Sequence, residues 1–220
     1  DTVRYGWASA MQQASVQLGK IGIQVIVNTM GVSTVAAFAA VNRIDDFATI
    51  PQQSIAAAMT SFMAQNYGAR KKERVWKGFQ SGMVLEVVYG IGIGAVCILG
   101  SDFLMRLFVN DSQVIDLGRS YLHLIALIYI LPAVTNGIQG YFRGIGDLKV
   151  TLWSSMMNMG ARVLSAIPLV YVCRLGIRAL PFAYFIGWIA MLAFELPLLL
   201  KKIKENKNTK EKRNSKSIKI

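Results

Sequence analysis

The chain alternates long apolar segments with short polar connections, and its first segment carries polar residues at helical spacing: Gln13, Gln17, Lys20, Gln24 and Asn28. Steps of three or four residues return to the same side of a helix, so these positions form one face. In lipid such a face must look toward other helices or a water-filled cavity. A wet, uncharged-to-cationic surface at membrane depth suits a protein that moves something across.

A spanning helix needs about 20 mostly apolar residues. Six segments reach that length once polar stripes are allowed, at 6–30, 34–66, 76–100, 113–142, 149–173 and 178–200. The pattern predicts an all-α polytopic membrane protein, with residues 1–200 as a six-helix transmembrane lobe and 201–220 as a Lys-rich, disordered cytoplasmic tail. Gly31 ends the first helix, Gly68 to Arg74 form the second connection, and Asn110 or Asp111 caps the fourth helix. Gly144, Ile145, Gly146 and Asp147 make a turn before the fifth helix, and Arg174, Gly176 and Arg178 mark the last turn. Pro51 and Pro132 fall midway along the second and fourth helices. Each removes a backbone donor and crowds the preceding turn, so each should kink its helix.

Composition agrees: 54% of the 220 residues are hydrophobic even with the polar tail included, too many for an ordinary soluble domain. The net charge of +12 raises nucleic acid as a partner, so the place of the charge matters. Nine of the 24 basic residues lie between Lys201 and Lys219 and five between Arg70 and Lys77, and both clusters flank apolar segments as cytoplasmic membrane-edge charges do. Neither has interleaved aromatics or a binding motif, so no nucleic-acid partner is expected. With the Arg70 to Lys77 connection in the cytoplasm, alternation puts Arg143, Lys149 and the tail on the same side, against Arg106, Arg174 and Arg178 outside. Both ends are then cytoplasmic, in a multi-pass protein of the cell membrane whose tail is drawn to anionic headgroups of the lipid bilayer.

The chain begins at Asp1 with neither initiator Met nor signal peptide, so it is expected to be cut from a longer protein. Cys97, Cys173 and the single histidine, His123, have no metal-ligand spacing, which argues against a metal site or a Cys/His catalytic pair. Gly90, Gly92 and Gly94 mimic a phosphate loop, but no strand precedes them and small residues in a membrane helix permit close approach. Neither enzyme activity nor a cofactor is expected.

The run Val35 to Ala40 (V-A-A-F-A-A), then Arg43-Ile44, Pro51 and Ser61 to Arg74 (S-F-M-A-Q-N-Y-G-A-R-K-K-E-R), resembles the multidrug and toxic compound extrusion (MATE) family. Tyr141 to Asp147 (Y-F-R-G-I-G-D) is similar to that family's turn after its tenth helix, and Ile167 to Tyr171 with Leu175-Gly176-Ile177 to the end of its eleventh. The resemblance covers about Gly6 to Leu200. It implies helices seven to twelve of a twelve-helix exporter whose six-helix halves are related by pseudo-two-fold symmetry, so the partner is a missing N-terminal six-helix half. It also implies export of cationic amphipathic drugs or related metabolites, small organic cations, in exchange for Na+ or H+. Some sodium-coupled members have acidic residues in helices seven and ten, yet Gly6 to Met30 and Ser120 to Phe142 here contain no Asp or Glu.

Ion coupling needs a carboxylate whose charge the ion can neutralise. Asp45, Asp46 and Glu86 are the candidates, with no other metal site beyond Na+. Asn42, Asp46, Thr49, Gln53 and Thr60 fall close to one face, so Asp46 is expected to project toward the bundle interior. Asp45 is offset by about 100°. A structural ion pair of either aspartate with Arg43 or Lys20 is the plainer alternative. Glu86, in an apolar run, must be protonated, paired or wet, the plain option being a hydrogen bond to a neighbouring helix. The first-helix stripe, with Asn42, Gln53, Asn136 and Gln139, is assigned to a substrate cavity, and Arg143 with Asp147 to a cytoplasmic turn. Arg43, Pro51 and Pro132 are structural or gating candidates. A flippase for lipid-linked sugars is the rival reading, for which Lys20, Arg43 and Arg162 supply positive charge. A membrane enzyme or a non-transporting scaffold is the reading from another class.

Overall fold

The computed structural model describes the backbone from Thr2 to Ser217 and the side chains of residues 6–7 and 9–205. Its elements are α1 (Thr2–Asn28), α2 (Val32–Gly68), α3 (Lys72–Leu99), α4 (Ser101–Arg106), α5 (Ser112–Leu127), α6 (Ile130–Gly144), α7 (Leu148–Tyr171) and α8 (Ala179–Ser217), with a 3-10 turn at Gly176–Arg178. The described backbone contains no strand, and the fold class is all-α as expected. The expected helices correspond to α1, α2, α3, the α5 and α6 pair, α7 and α8. α4 is a short extra turn in the connection between α3 and α5.

Two helices, Lys72–Leu99 and Gly176–Glu205, are long and apolar enough to span a membrane by composition, and α5 with α6 forms a third, broken span bent by 48°. α1, α2 and α7 are long enough, at 27, 37 and 24 residues, but carry polar faces. The 48° bend lies one turn before Pro132, which cannot donate to the Ile128 carbonyl; Leu131 N donates to that oxygen instead, at 2.9 Å. Pro51 lies inside α2, which runs on as one helix past it.

The bundle has two parts. α7 is packed between α1 and α8, while α2 packs against α3, α5 and α6. Small residues set the closest approaches: a Cβ on Gly94 would come within 2.9 Å of the Ala126 carbonyl oxygen, and one on Gly187 within 2.9 Å of that of Asn158. Gly90 likewise meets Ala133 and Tyr129, whereas Gly92 faces open space.

The connections follow local chemistry. Asp111 caps α5, its carboxylate accepting from Gln113 N at 2.8 Å and Val114 N at 3.2 Å. α6 ends in a Schellman turn: Gly146, at φ 81°, donates to Arg143 O at 3.1 Å and Asp147 to Phe142 O at 2.9 Å. α2 ends the same way, with Arg70 rather than Gly68 in the left-handed position at φ 57°. α8 is helical to Ser217 where the sequence predicts a disordered tail. No Gly or Pro follows Pro197, and Lys and Glu are good helix formers.

Candidate functional site

Gln13, Gln17, Lys20, Gln24 and Asn28 are all exposed along α1, so no helix among the described residues covers that face. Within the stripe the Gln24 amide donates to Asn28 Oδ1 at 2.8 Å. The neighbouring face of α1, with Gly19, Ile23, Ile26 and Val27 buried, packs on the bundle. Asn42 and Asn136 are half-buried, and Gln53 and Arg43 are exposed.

The two aspartates of α2 exchange the places predicted for them. Asp46 is exposed and Asp45 half-buried. The buried stripe of α2 includes Val41, Ala48, Gln52 and Ala56, and Asp45 falls one turn from Val41 and Ala48 whereas Asp46 does not. Asp45 faces the Tyr129 hydroxyl and lies within electrostatic reach of Arg162, Lys20 and Asp46. Neither aspartate makes an ion pair with Arg43 or Lys20 among the described residues.

Around Asp45 the structure gathers aromatic rings and one buried cation. Arg162 of α7 is 7% exposed, and its guanidinium carbon lies 3.9 Å from the Tyr184 ring centroid and 5.4 Å from that of Trp188. The Tyr121 and Tyr129 hydroxyls are buried and make no hydrogen bond. This is a small charged cluster walled by α2, α5, α7 and α8, with Lys20 of the α1 stripe at its edge.

Glu86 of α3 is fully buried, and neither carboxyl oxygen has a hydrogen-bond partner, so the expected bond to a neighbouring helix is absent. Gln52 is fully buried and unpaired in the same way. Gly137 of α6 packs toward Met83 and Glu86, and a Cβ on Gly90 would lie 3.4 Å from Gln52 Nε2. Glu86 and Gln52 therefore sit at the junction of α2, α3 and α6, apart from the Asp45 cluster.

A further polar group joins four helices. The Gln12 amide of α1 donates to Gln139 Oε1 of α6 at 3.3 Å and to Ser155 Oγ of α7 at 2.9 Å. Gln139 in turn donates to Ser154 at 3.4 Å and Ser155 at 3.2 Å. Glu195 of α8, fully buried, lies beside Gln139, Ser154 and Arg143. Arg143 does not pair with Asp147 in this structure: its Nε donates to Gln139 O at 3.3 Å and it faces Glu195. The turn it was assigned to is held by the backbone bonds of the Schellman motif instead. Glu195 escapes a reading of the sequence, although it carries the same signal as Glu86, a lone carboxylate in an apolar run.

Helices of spanning length that hold unpaired ionisable groups between them and leave a polar face uncovered define a helical lobe of a polytopic membrane protein. A family model described as MatE matches residues 8–172, and the chain belongs to that family. It is 26% identical over 156 residues to a probable multidrug resistance protein, YpnP, of Bacillus subtilis, covering 71% of this chain and 35% of that protein. It is 22% identical over 194 residues to the probable multidrug resistance protein NorM of Thermotoga maritima, covering 88% and 40%. The chain thus spans well under half the length of these curated relatives. Its fold matches an outward-facing multidrug resistance MATE transporter of the MOP superfamily with a TM-score of 0.85 at 17% identity, covering 91% of this chain and 45% of that one. A MOP superfamily transporter from Pyrococcus furiosus, described as having a binding pocket of reverse polarity that suggests a different function, matches with a TM-score of 0.81 at 18% identity over 88% and 42%.

Proposed function

We propose that this chain is the C-terminal six-helix half of a secondary active exporter that moves cationic amphipathic drugs or related metabolites out of the cell against Na+ or H+. The observation that carries the reading is the uncovered α1 stripe, whose five polar residues are exposed along a 27-residue helix beside the Asp45 and Arg162 cluster. In lipid that face needs water or protein over it. A second six-helix lobe facing it would enclose a central cavity.

In this reading the halves rock between inward-open and outward-open states, with both ends of the chain cytoplasmic. Asp45 is the coupling carboxylate of this half: an ion that neutralises it weakens a bound organic cation and leaves Lys20 and Arg162 to repel it. The family is one of transporters, and the chain is read as having no enzymatic role and no cofactor beyond the coupling ion.

A second reading has a specific observation behind it. The exposed α1 stripe carries Lys20 and no carboxylate, and Arg43 is exposed on α2, a polarity suited to an anionic substrate such as a lipid-linked sugar. The Pyrococcus furiosus transporter of reverse pocket polarity makes this more than formal.

Ethidium efflux from drug-sensitive cells, with this chain joined to its upstream half, tests the choice. Efflux that collapses in Asp45→Asn and persists in Asp46→Asn supports the exporter and its coupling site. No efflux despite confirmed membrane insertion favours the anionic reading.

A further inference from the structure

We infer that Glu195 is a second proton-binding site of this half, placed near its cytoplasmic end and closed by the Gln12 contact of α1. Glu195 stands six residues before Lys201, about 9 Å along the helix, so it lies close to the basic edge that orients the chain. Its side chain is fully buried, and neither oxygen has a hydrogen-bond partner.

The donors beside it bond more closely to other acceptors. Gln139 donates to Ser154 and Ser155, Ser154 to the Thr151 carbonyl at 3.2 Å, and Arg143 Nε to the Gln139 carbonyl. A buried carboxylate needs several close donors or a counter-ion in contact with it, and without them the neutral acid is the form a low-dielectric site accepts. Among the described residues no ion pair reaches Glu195 and no donor is within hydrogen-bond distance, an environment that suits the protonated carboxyl.

The charged groups on the helices packed against α8 leave one counter-ion. Arg143 of α6 is within electrostatic reach of Glu195. On α7, Lys149 is exposed and Arg162 is held over Tyr184. On α5, Asp116 is exposed, Arg119 is tied to Asp102 and His123 to Ser101.

Gln12 supplies the gate. It is the contact that ties α1 to Gln139 and Ser155, and α1 also carries the uncovered stripe. When α1 moves away with the cavity, the Gln12 bonds break and water reaches the carboxyl. Its proton passes to that water, and the carboxylate left behind takes Arg143 as counter-ion. Return of α1 expels the water and restores the neutral acid. The transport consequence rests on the exporter reading, whereas the occupancy of Glu195 by a proton does not.

Infrared difference spectra of the full-length protein in lipid, stepped in pH without drug or sodium, read the proton directly. The expected result is a carbonyl band of a protonated carboxylic acid, shifted in D2O, with a component lost in Glu195→Gln and retained in Glu86→Gln. A Glu195→Gln spectrum identical to the parent's at every pH overturns the proposal, as does a band removed by sodium at constant pH. Gln12→Ala leaves the carboxyl in place and should shift the midpoint at which its band disappears. An unchanged midpoint removes Gln12 as the gate. Both readouts stand even if the protein moves no drug, so failure of the site and failure of the exporter reading are separate results.

Discussion

The guanidinium carbon of Arg162 lies over Tyr184, 3.9 Å from the ring centroid, inside the helix bundle and within electrostatic reach of Asp45. A desolvated cation over an aromatic face is worth about 2 kcal/mol or more, against 0.5–1 at an exposed site. The contact also explains how a buried arginine whose Nε has no hydrogen-bond partner is tolerated. A double-mutant cycle of Arg162→Leu and Tyr184→Leu on the full-length protein should give a coupling of about 1–2 kcal/mol in unfolding free energy. Arg162→Lys should recover only part of it, because the ammonium lacks the planar stacking surface. Additive single effects would mean the ring merely fills space.

Asp102 pairs with Arg106 within α4, at 2.7 Å, and joins α4 to α5 through Arg119. These two partners hold its carboxyl below the usual carboxylate range. A group with a depressed folded pKa contributes stability that is fully present above its unfolded value of about 3.9 and is lost as pH falls through the folded value. Asp102→Asn should therefore lower the thermal midpoint by a constant amount from pH 8 to about pH 5. The gap to the parent should close below about pH 4 and narrow in high salt, since Arg106 is exposed and Asp102 and Arg119 are only half-buried. A gap that stays constant down to pH 3 would falsify the ion-pair account.

Much of this architecture can be read in the residues, and its failures share one cause. Helix existence follows from apolar length, and the Asp111 cap and the Gly146 turn follow from local chemistry, which is why those features agree with the structure. On α2 the reading chose Asp46 and Gln53 where the structure turns Asp45 and Gln52 inward. Both misses are one residue, about 100° of rotation. α2 is polar on adjoining faces, so its own sequence cannot say which one α3, α5 and α6 cover. Tertiary packing decides that phase. Glu195 and Arg143 were missed as a pair for a related reason: they meet only because α6 and α8 pack together, across 52 residues of chain. The exposed stripe of α1 was visible because one face holds all five polar residues.

Helix contacts at Gly94 and Gly92 should separate cleanly. A Cβ at Gly94 would meet the backbone oxygen of Ala126 at 2.9 Å, and backbone cannot swing aside as a side chain can. Gly94→Ala should destabilise by about 1–3 kcal/mol, the usual cost of overpacking. Gly92 faces nothing within 4 Å, so Gly92→Ala should stabilise by about 0.5–1 kcal/mol through helix propensity. Thermal unfolding in detergent distinguishes the two. Equal effects would mean that α3 and α5 are not held in this register.

Arg70 occupies a left-handed position at φ 57° at the end of α2. That conformation costs an L-residue about 1–2 kcal/mol, and glycine avoids it. Arg70→Gly should raise stability by up to about 1 kcal/mol, part of the gain being offset by the greater freedom of glycine in the unfolded chain. Arg70→Val should lower it, as a β-branched residue tolerates positive φ poorly. Both can be read from the same unfolding curves.

Glu86 offers a test in which stability and function move in opposite directions. It is fully buried between α2, α3 and α6, and neither oxygen is hydrogen-bonded. A polar group kept in that condition weakens the bundle, so replacing it with an apolar residue of similar size is neutral or stabilising. Glu86→Leu should leave the thermal midpoint unchanged or raise it. Glu86→Lys should lower it sharply, because a central charge costs about 2.5–3.5 kcal/mol on insertion scales. If the carboxyl serves ion coupling, Glu86→Leu will at the same time reduce ethidium efflux severalfold in whole cells. A stable variant with impaired efflux assigns Glu86 a working role, because a purely structural residue cannot be removed with a gain in stability and a loss of transport. A stable variant with parental efflux leaves coupling to Asp45 and Glu195 in this half.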